Sequence, residues 1–164
     1  MPVSRRGEWE HLLKIEDDRE KRTKLEEYLD RGIGECHLRD PRVAEITEDV
    51  MLQFHNKRYE LLAWSVMPNH VHVLAHVWNW PLAKMLQSWK SISAVKANRS
   101  LKRVGTFWQR EYWETFMRNE EQERVAIRYI EGNPVKAKLC QLAEDWPFSS
   151  ARFRDTFRSL VLPK

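Results

Sequence analysis

The sequence predicts an α+β fold, and three observations carry that expectation. Two β-rich runs, Tyr59 to Val66 and His70 to Val77, are separated only by Met67-Pro68-Asn69, a connection short enough for a hairpin and too short for a crossover. Charged stretches with helical spacing lie on both sides of that pair. No strand–helix alternation of the parallel kind appears anywhere along the chain. At 164 residues the chain suits one domain with a sizeable core, and its 42% hydrophobic and 32% charged content fits charged helices around that core.

Residues 8–31 read as a charged helix with Trp9, Leu12, Leu13, Leu25 and Leu29 as apolar positions, stopped by Gly32 and Gly34. A second helix starts at Asp40-Pro41, where the aspartate can accept from free N–H groups and the proline is pre-set for the first helical position. Val43, Ile46, Val50 and Phe54 form its apolar face. After the hairpin, a third helix runs from about Pro81 to Leu101, with Leu82, Met85, Leu86, Trp89 and Ile92 as its buried stripe. Thr106 to Met117, rich in aromatics, suits a strand or extended segment. Asn119 then caps a last helix, with Gln122 at the capping-box position and glutamates near the positive end of the dipole. That helix is expected to end at Asn133-Pro134, because proline disfavours helical geometry in the residue before it.

Net charge is +4, a mild basic excess that permits a polyanionic partner without proving one. Cys36 and Cys140 have no paired spacing, so neither a disulfide framework nor a structural zinc module is indicated. No apolar stretch is long enough to span a membrane and the N-terminus lacks a signal-peptide core, so the expectation is a cytoplasmic protein without a membrane partner.

Chemistry concentrates in Met67-Pro68-Asn69-His70-Val71-His72. Alternate residues of a strand share a face, so His70 and His72 stand side by side and could ligate one divalent metal. Alone, such a pair is more simply an alternating strand with outward histidines. His76 shares the face and reads as an edge histidine or a further ligand. Tyr129 and Asn133, four apart, share a helix face. Taken singly they read as an amphipathic tyrosine and a helix-end asparagine. Tyr112, in the aromatic segment, is the rival nucleophile, better suited to packing or base stacking. Lys84, Lys90, Lys96, Arg99, Lys102 and Arg103 make the third helix and its end basic. They could follow a DNA backbone or simply form a solvated face. Some of the eight tryptophans could stack on bases, although most suit the core.

The combination of Pro68-Asn69-His70-Val71-His72, Tyr129-Ile130-Glu131-Gly132-Asn133-Pro134-Val135-Lys136-Ala137 and Asp145-Trp146-Pro147-Phe148-Ser149-Ser150 resembles the REP-associated tyrosine transposases, within the single-tyrosine HUH superfamily. Supporting stretches are Trp64-Ser65-Val66, Leu86-Gln87-Ser88-Trp89-Lys90-Ser91 and Phe107-Trp108-Gln109. The resemblance implies a ferredoxin-like antiparallel sheet with helices packed on it. It makes Tyr129 the nucleophile and His70, His72 and Asn133 the ligands of a divalent metal, Mg²⁺ or Mn²⁺. It implies cleavage and transfer of single-stranded DNA at hairpin-forming repeats through a 5′-phosphotyrosine bond. Residues 33–150 would form the catalytic domain, 1–32 a charged helical segment and 151–164 a tail. Residues 1–32 offer no hydrophobic strand, so the sheet is expected to lack the family's first inner strand unless another chain, in a homodimer, supplies one. The alternatives are a catalytically weak or inactive DNA-binding protein of the same descent, and a small metal- or RNA-binding module with an incidental histidine pair.

Overall fold

The computed structural model describes Lys24, residues 27–29, 35–78, 80–109, 112 and 114–163. Helix α1 spans Pro41–Leu52, strands β1 and β2 span Tyr59–Val66 and Val71–Val77, and helices α2 and α3 span Leu82–Ser100 and Glu120–Lys136. Asp40 caps α1 as its sequence predicts, its Oδ1 accepting from the Arg42 N–H at 3.0 Å with Pro41 in the first turn. Asn119 Oδ1 does the same for α3, accepting from Gln122 N–H at 2.9 Å. Lys24 and residues 27–29 are helical, but most of the helix read over 8–31, and the missing first strand, lie outside the described residues.

The two strands pair antiparallel as a hairpin closed by a hydrogen bond from Met67 N–H to the His70 carbonyl, 2.9 Å. A bulge between Leu61 and Ala63 shifts the alternation, so Tyr59, Leu61, Trp64 and Val66 all join the core with Val71, Val73 and Ala75. That core is completed by α1 and by α2, whose Met85, Trp89, Ser93 and Ala97 are buried at successive four-residue steps. Tyr59 ties the three elements together: its hydroxyl donates to the Met51 carbonyl at 2.6 Å and accepts from Trp89 Nε1 at 2.8 Å. The bulge leaves Glu60, Ala63, Ser65, His72 and His76 on the opposite sheet face, and α3 packs there.

β1 has a second edge, away from β2, and the Asp145-Trp146-Pro147-Phe148-Ser149-Ser150 stretch covers it. The Val66 N–H donates to the Phe148 carbonyl at 2.9 Å, and Trp146 Nε1 donates to the Val66 carbonyl at 3.0 Å. The Trp64 N–H donates to Ser150 Oγ at 3.0 Å, and Arg154 Nη2 donates to the Leu62 carbonyl at 2.5 Å. Backbone groups that an exposed edge would leave to water are thereby satisfied by one short segment.

Two sequence expectations are corrected. No strand forms among the described residues of 106–117; the segment is held by side chains, with Trp108 Nε1 donating to Ser93 Oγ at 2.8 Å, so aromatic packing on α2 replaces a ladder. The described sheet accordingly has two strands. The last helix does not stop at Asn133 but runs through Pro134 to Lys136. Proline removes one donor, yet so near the end the loss is small, and the turn closes through Ala137 N–H to the Asn133 carbonyl and Leu139 N–H to the Pro134 carbonyl, both 2.9 Å.

Candidate metal and nucleophile site

His70 and His72 leave the hairpin with their rings almost perpendicular and their Nε2 atoms 2.9 Å apart. His70 Nδ1–H donates to Asn69 Oδ1 at 2.8 Å, and Asn69 Nδ2 in turn donates to the Leu29 carbonyl at 2.9 Å. This relay fixes the His70 tautomer, leaving Nε2 with its lone pair turned toward His72. Burial, reinforced by the neighbouring His72, holds the His70 pKa down to about 3, so the ring is neutral at physiological pH. Neutral imidazole is the ligating form, and a separation of 2.9 Å is about the edge of an octahedron with metal–ligand bonds of ~2.1 Å.

Helix α3 lies antiparallel to β2 across this face. His76 Nε2 pairs with Glu123 Oε2 at 3.0 Å, and the His72 ring meets the Tyr129 ring edge-on with centroids 5.7 Å apart. The next turn of α3 therefore carries Asn133 past His72 in the direction of His70. Asn133 is 1% exposed, and neither its Oδ1 nor its Nδ2 has a hydrogen-bond partner among the described residues. A buried amide left this way costs about 1–3 kcal/mol, which a structural role does not explain and a ligand role does. No three His, Cys, Asp or Glu side chains gather as a metal group among the described residues.

His70, His72 and Tyr129 line a broad cleft, with Tyr112, Phe116 and Arg103 elsewhere on its wall; Asn133 is enclosed and not among the lining residues. Tyr129 is half-buried, and Lys136 Nζ lies 5.9 Å from its ring centroid. A nucleophile is expected to be partly open, yet the Tyr129 hydroxyl oxygen itself is enclosed while the rest of the side chain reaches the cleft. Tyr112 is 44% exposed beneath the Lys90 ammonium, 5.6 Å from its ring centroid, and stands apart from α3 in the extended segment. His76 is engaged by Glu123 at 3.0 Å and, at 3.6 Å, by Glu60 on opposite ring nitrogens, so both nitrogens already face carboxylates.

The basic residues fall into two sets. Lys84, Lys96, Arg99 and Lys102 are exposed. Lys90 and Arg103 turn into the 102–118 segment instead. Lys90 Nζ donates to the Gln109 carbonyl at 2.8 Å, while Arg103 donates to Asn98 Oδ1 at 3.2 Å and the Thr106 carbonyl at 3.3 Å. Asn69 and Glu131 lie within motifs prominent in the sequence, but their roles depend on partners distant in the chain, Leu29 for one and Ser150 and Arg154 for the other.

Comparison with known proteins identifies the family. Residues 37–133, more than half of the chain, match the family described as Transposase IS200 like. The chain is 32% identical over 108 residues to the REP-associated tyrosine transposase of Escherichia coli (strain K12), covering 64% of this chain and 61% of that protein. A relative from Haemophilus influenzae is 27% identical over 103 residues, covering 56% of this chain and 58% of the relative. The chain thus spans about three fifths of the length of these curated relatives. A solved structure of a REP-associated tyrosine transposase bound to a REP hairpin superposes with a TM-score of 0.57 and 26% identity, over 72% of this chain and 70% of that one. Among the described residues, no helix is long and apolar enough to cross a membrane. The chain belongs to the IS200-like transposase family.

Proposed function

We propose that this chain binds hairpin-forming repeat DNA and cleaves and rejoins its single-stranded part, using Tyr129 as nucleophile and His70, His72 and Asn133 to hold Mg²⁺ or Mn²⁺. The observation that carries the reading is the buried Asn133 amide without a partner, one helical turn from a tyrosine whose ring touches His72. Family membership and a relative solved with a hairpin support the substrate class. In this reading the Tyr129 phenolate oxygen attacks phosphorus in line, the bond to the 3′ oxygen breaks, and a 5′-phosphotyrosine and a free 3′ hydroxyl result, with no nucleotide cofactor required. A divalent ion at the three ligands supplies polarisation of the phosphate and a template for the in-line geometry. Asn69 keeps the His70 lone pair turned inward, and α3 carries Tyr129 to the wall of the same cleft. Lys84, Lys96, Arg99 and Lys102 would meet phosphates, while Lys90 and Arg103 would shape the 102–118 segment beside them.

A second reading, a DNA-binding protein with weak cleavage, is favoured by the enclosed Tyr129 hydroxyl oxygen. One experiment separates the two. A labelled hairpin oligonucleotide with a single-stranded flank is incubated with the chain and Mn²⁺, then resolved under denaturing conditions. The first reading expects a protein–DNA adduct that Tyr129→Phe abolishes and Tyr112→Phe retains. Retarded but uncleaved DNA supports the second, and an adduct surviving Tyr129→Phe contradicts the nucleophile assignment.

A further inference from the structure

The segment that follows α3 holds that helix as well as the edge of β1. Glu131 is 8% exposed, and its Oε1 accepts from Ser150 Oγ at 2.6 Å and from Arg154 Nε at 2.8 Å, with Arg154 Nη2 also 2.8 Å away in the ion pair. The same Ser150 hydroxyl oxygen accepts from the Trp64 N–H, and the same Arg154 donates to the Leu62 carbonyl. One carboxylate on α3 is thus bolted, through two side chains, to two backbone groups of β1.

At 100° per residue, Glu131 lies about 160° around the helix from the flank shared by Tyr129 and Asn133. We propose that the Glu131–Ser150–Arg154 clamp is a positioning device that sets the rotation of α3 about its axis, and so aims Tyr129 and Asn133 at the histidines. It rests on the functional reading above and assigns a task to the Ser149-Ser150-to-Arg154 stretch that the site chemistry leaves unused. The leverage is sufficient: with side chains reaching ~6 Å from a helix axis, a turn of about 10° displaces their tips by about 1 Å. A misplacement of that order costs about a hundredfold in rate at a reacting centre. A charge-assisted hydrogen bond is also stiffer than an apolar contact, because both partners have preferred hydrogen-bond directions.

The test uses Glu131→Gln, which keeps the shape and loses the charge, and Arg154→Lys, which keeps the charge and loses the two-pronged donation. Each is measured, well below its unfolding midpoint, for Mn²⁺ affinity of the DNA-free chain by calorimetry, for hairpin affinity, and for the rate of adduct formation. Both variants should lose about tenfold or more in adduct rate and weaken Mn²⁺ binding, while hairpin affinity stays within about twofold. Wild-type Mn²⁺ affinity and adduct rate in a folded variant would reduce the clamp to a purely structural role and overturn the inference. Should Glu131→Gln fail to fold, Ser150→Ala removes one hydroxyl only; it should show the same pattern more weakly, and unchanged values there overturn the inference equally. Failure of the underlying reading looks different, since the adduct would then persist in Tyr129→Phe or be absent from the wild-type chain.

Discussion

Two clusters of buried polar side chains flank the hairpin, and they differ in one respect. In the structural cluster every group is answered. Glu48, 4% exposed, accepts from Trp64 Nε1 at 2.6 Å and from Arg152 Nη1 and Nη2 at 2.9 and 2.7 Å. Glu131 on α3 is answered by Ser150 and Arg154. On the other side, the Nε2 atoms of His70 and His72 face each other, and the fully buried Asn133 amide on α3 has no partner among the described residues. Satisfaction is what separates Glu48 and Glu131 from the equally enclosed Asn133. A buried group that is paired holds the fold, whereas one left unpaired stores free energy that a ligand can release.

The contrast is challenged most forcefully from the satisfied side. Arg152→Met strands the Glu48 carboxylate, and losing one partner of such a pair costs about 3 kcal/mol or more. A clear fall in the denaturation midpoint is expected, and an unchanged midpoint would show that the cluster is not structural. On the unsatisfied side the sign should reverse. Asn133→Leu removes an unpaired amide while keeping its branched skeleton of heavy atoms, so the metal-free chain should gain about 1–3 kcal/mol in the same measurement. A loss of stability would mean that the amide is paired in solution.

Smaller effects divide the cations. Replacing exposed Lys84 or Arg99 with Ala should lower the salt dependence of single-strand binding by about 0.7 in log–log slope for each phosphate left without its cation. Lys90→Ala, which releases the Gln109 carbonyl, should instead loosen the 102–118 segment and leave that slope nearly unchanged. The weakest effect concerns His55, whose Nδ1 accepts from the Leu61 N–H at 3.0 Å and whose ring must therefore be neutral. Burial lowers its pKa from the ordinary 6.5, with Glu60 opposing. Its stabilisation is full above the unfolded pKa and is lost as pH falls through the folded one. His55→Gln keeps an acceptor that does not titrate, so the decline of stability below pH ~6.5 should flatten.

Much of this was legible in the chain because it is local. Asp40-Pro41 and Asn119 set helix starts by capping that needs only two or three neighbouring residues, and the hairpin follows from a three-residue connection between β-rich runs. Pro134 misleads because its cost depends on how many helical residues follow, which the dipeptide does not encode. The aromatic segment after α2 has strand-like composition, but Ser93 on α2 captures its Trp108 instead. The clamps were invisible for another reason: Glu48 and Arg152 stand 104 residues apart, and only the fold makes them neighbours. Engagement of Lys90 and Arg103 by the loop likewise hides a third of what composition presents as one basic face.

If Asn133 completes a ligand site with His70 and His72, manganese affinity must depend on its amide. Calorimetric titration of Mn²⁺ into the DNA-free chain and into Asn133→Leu isolates that dependence. Binding should be measurable in the wild-type chain and fall at least tenfold in Asn133→Leu, even as that variant becomes more stable. Equal affinity in the two proteins would show that the amide is not a ligand.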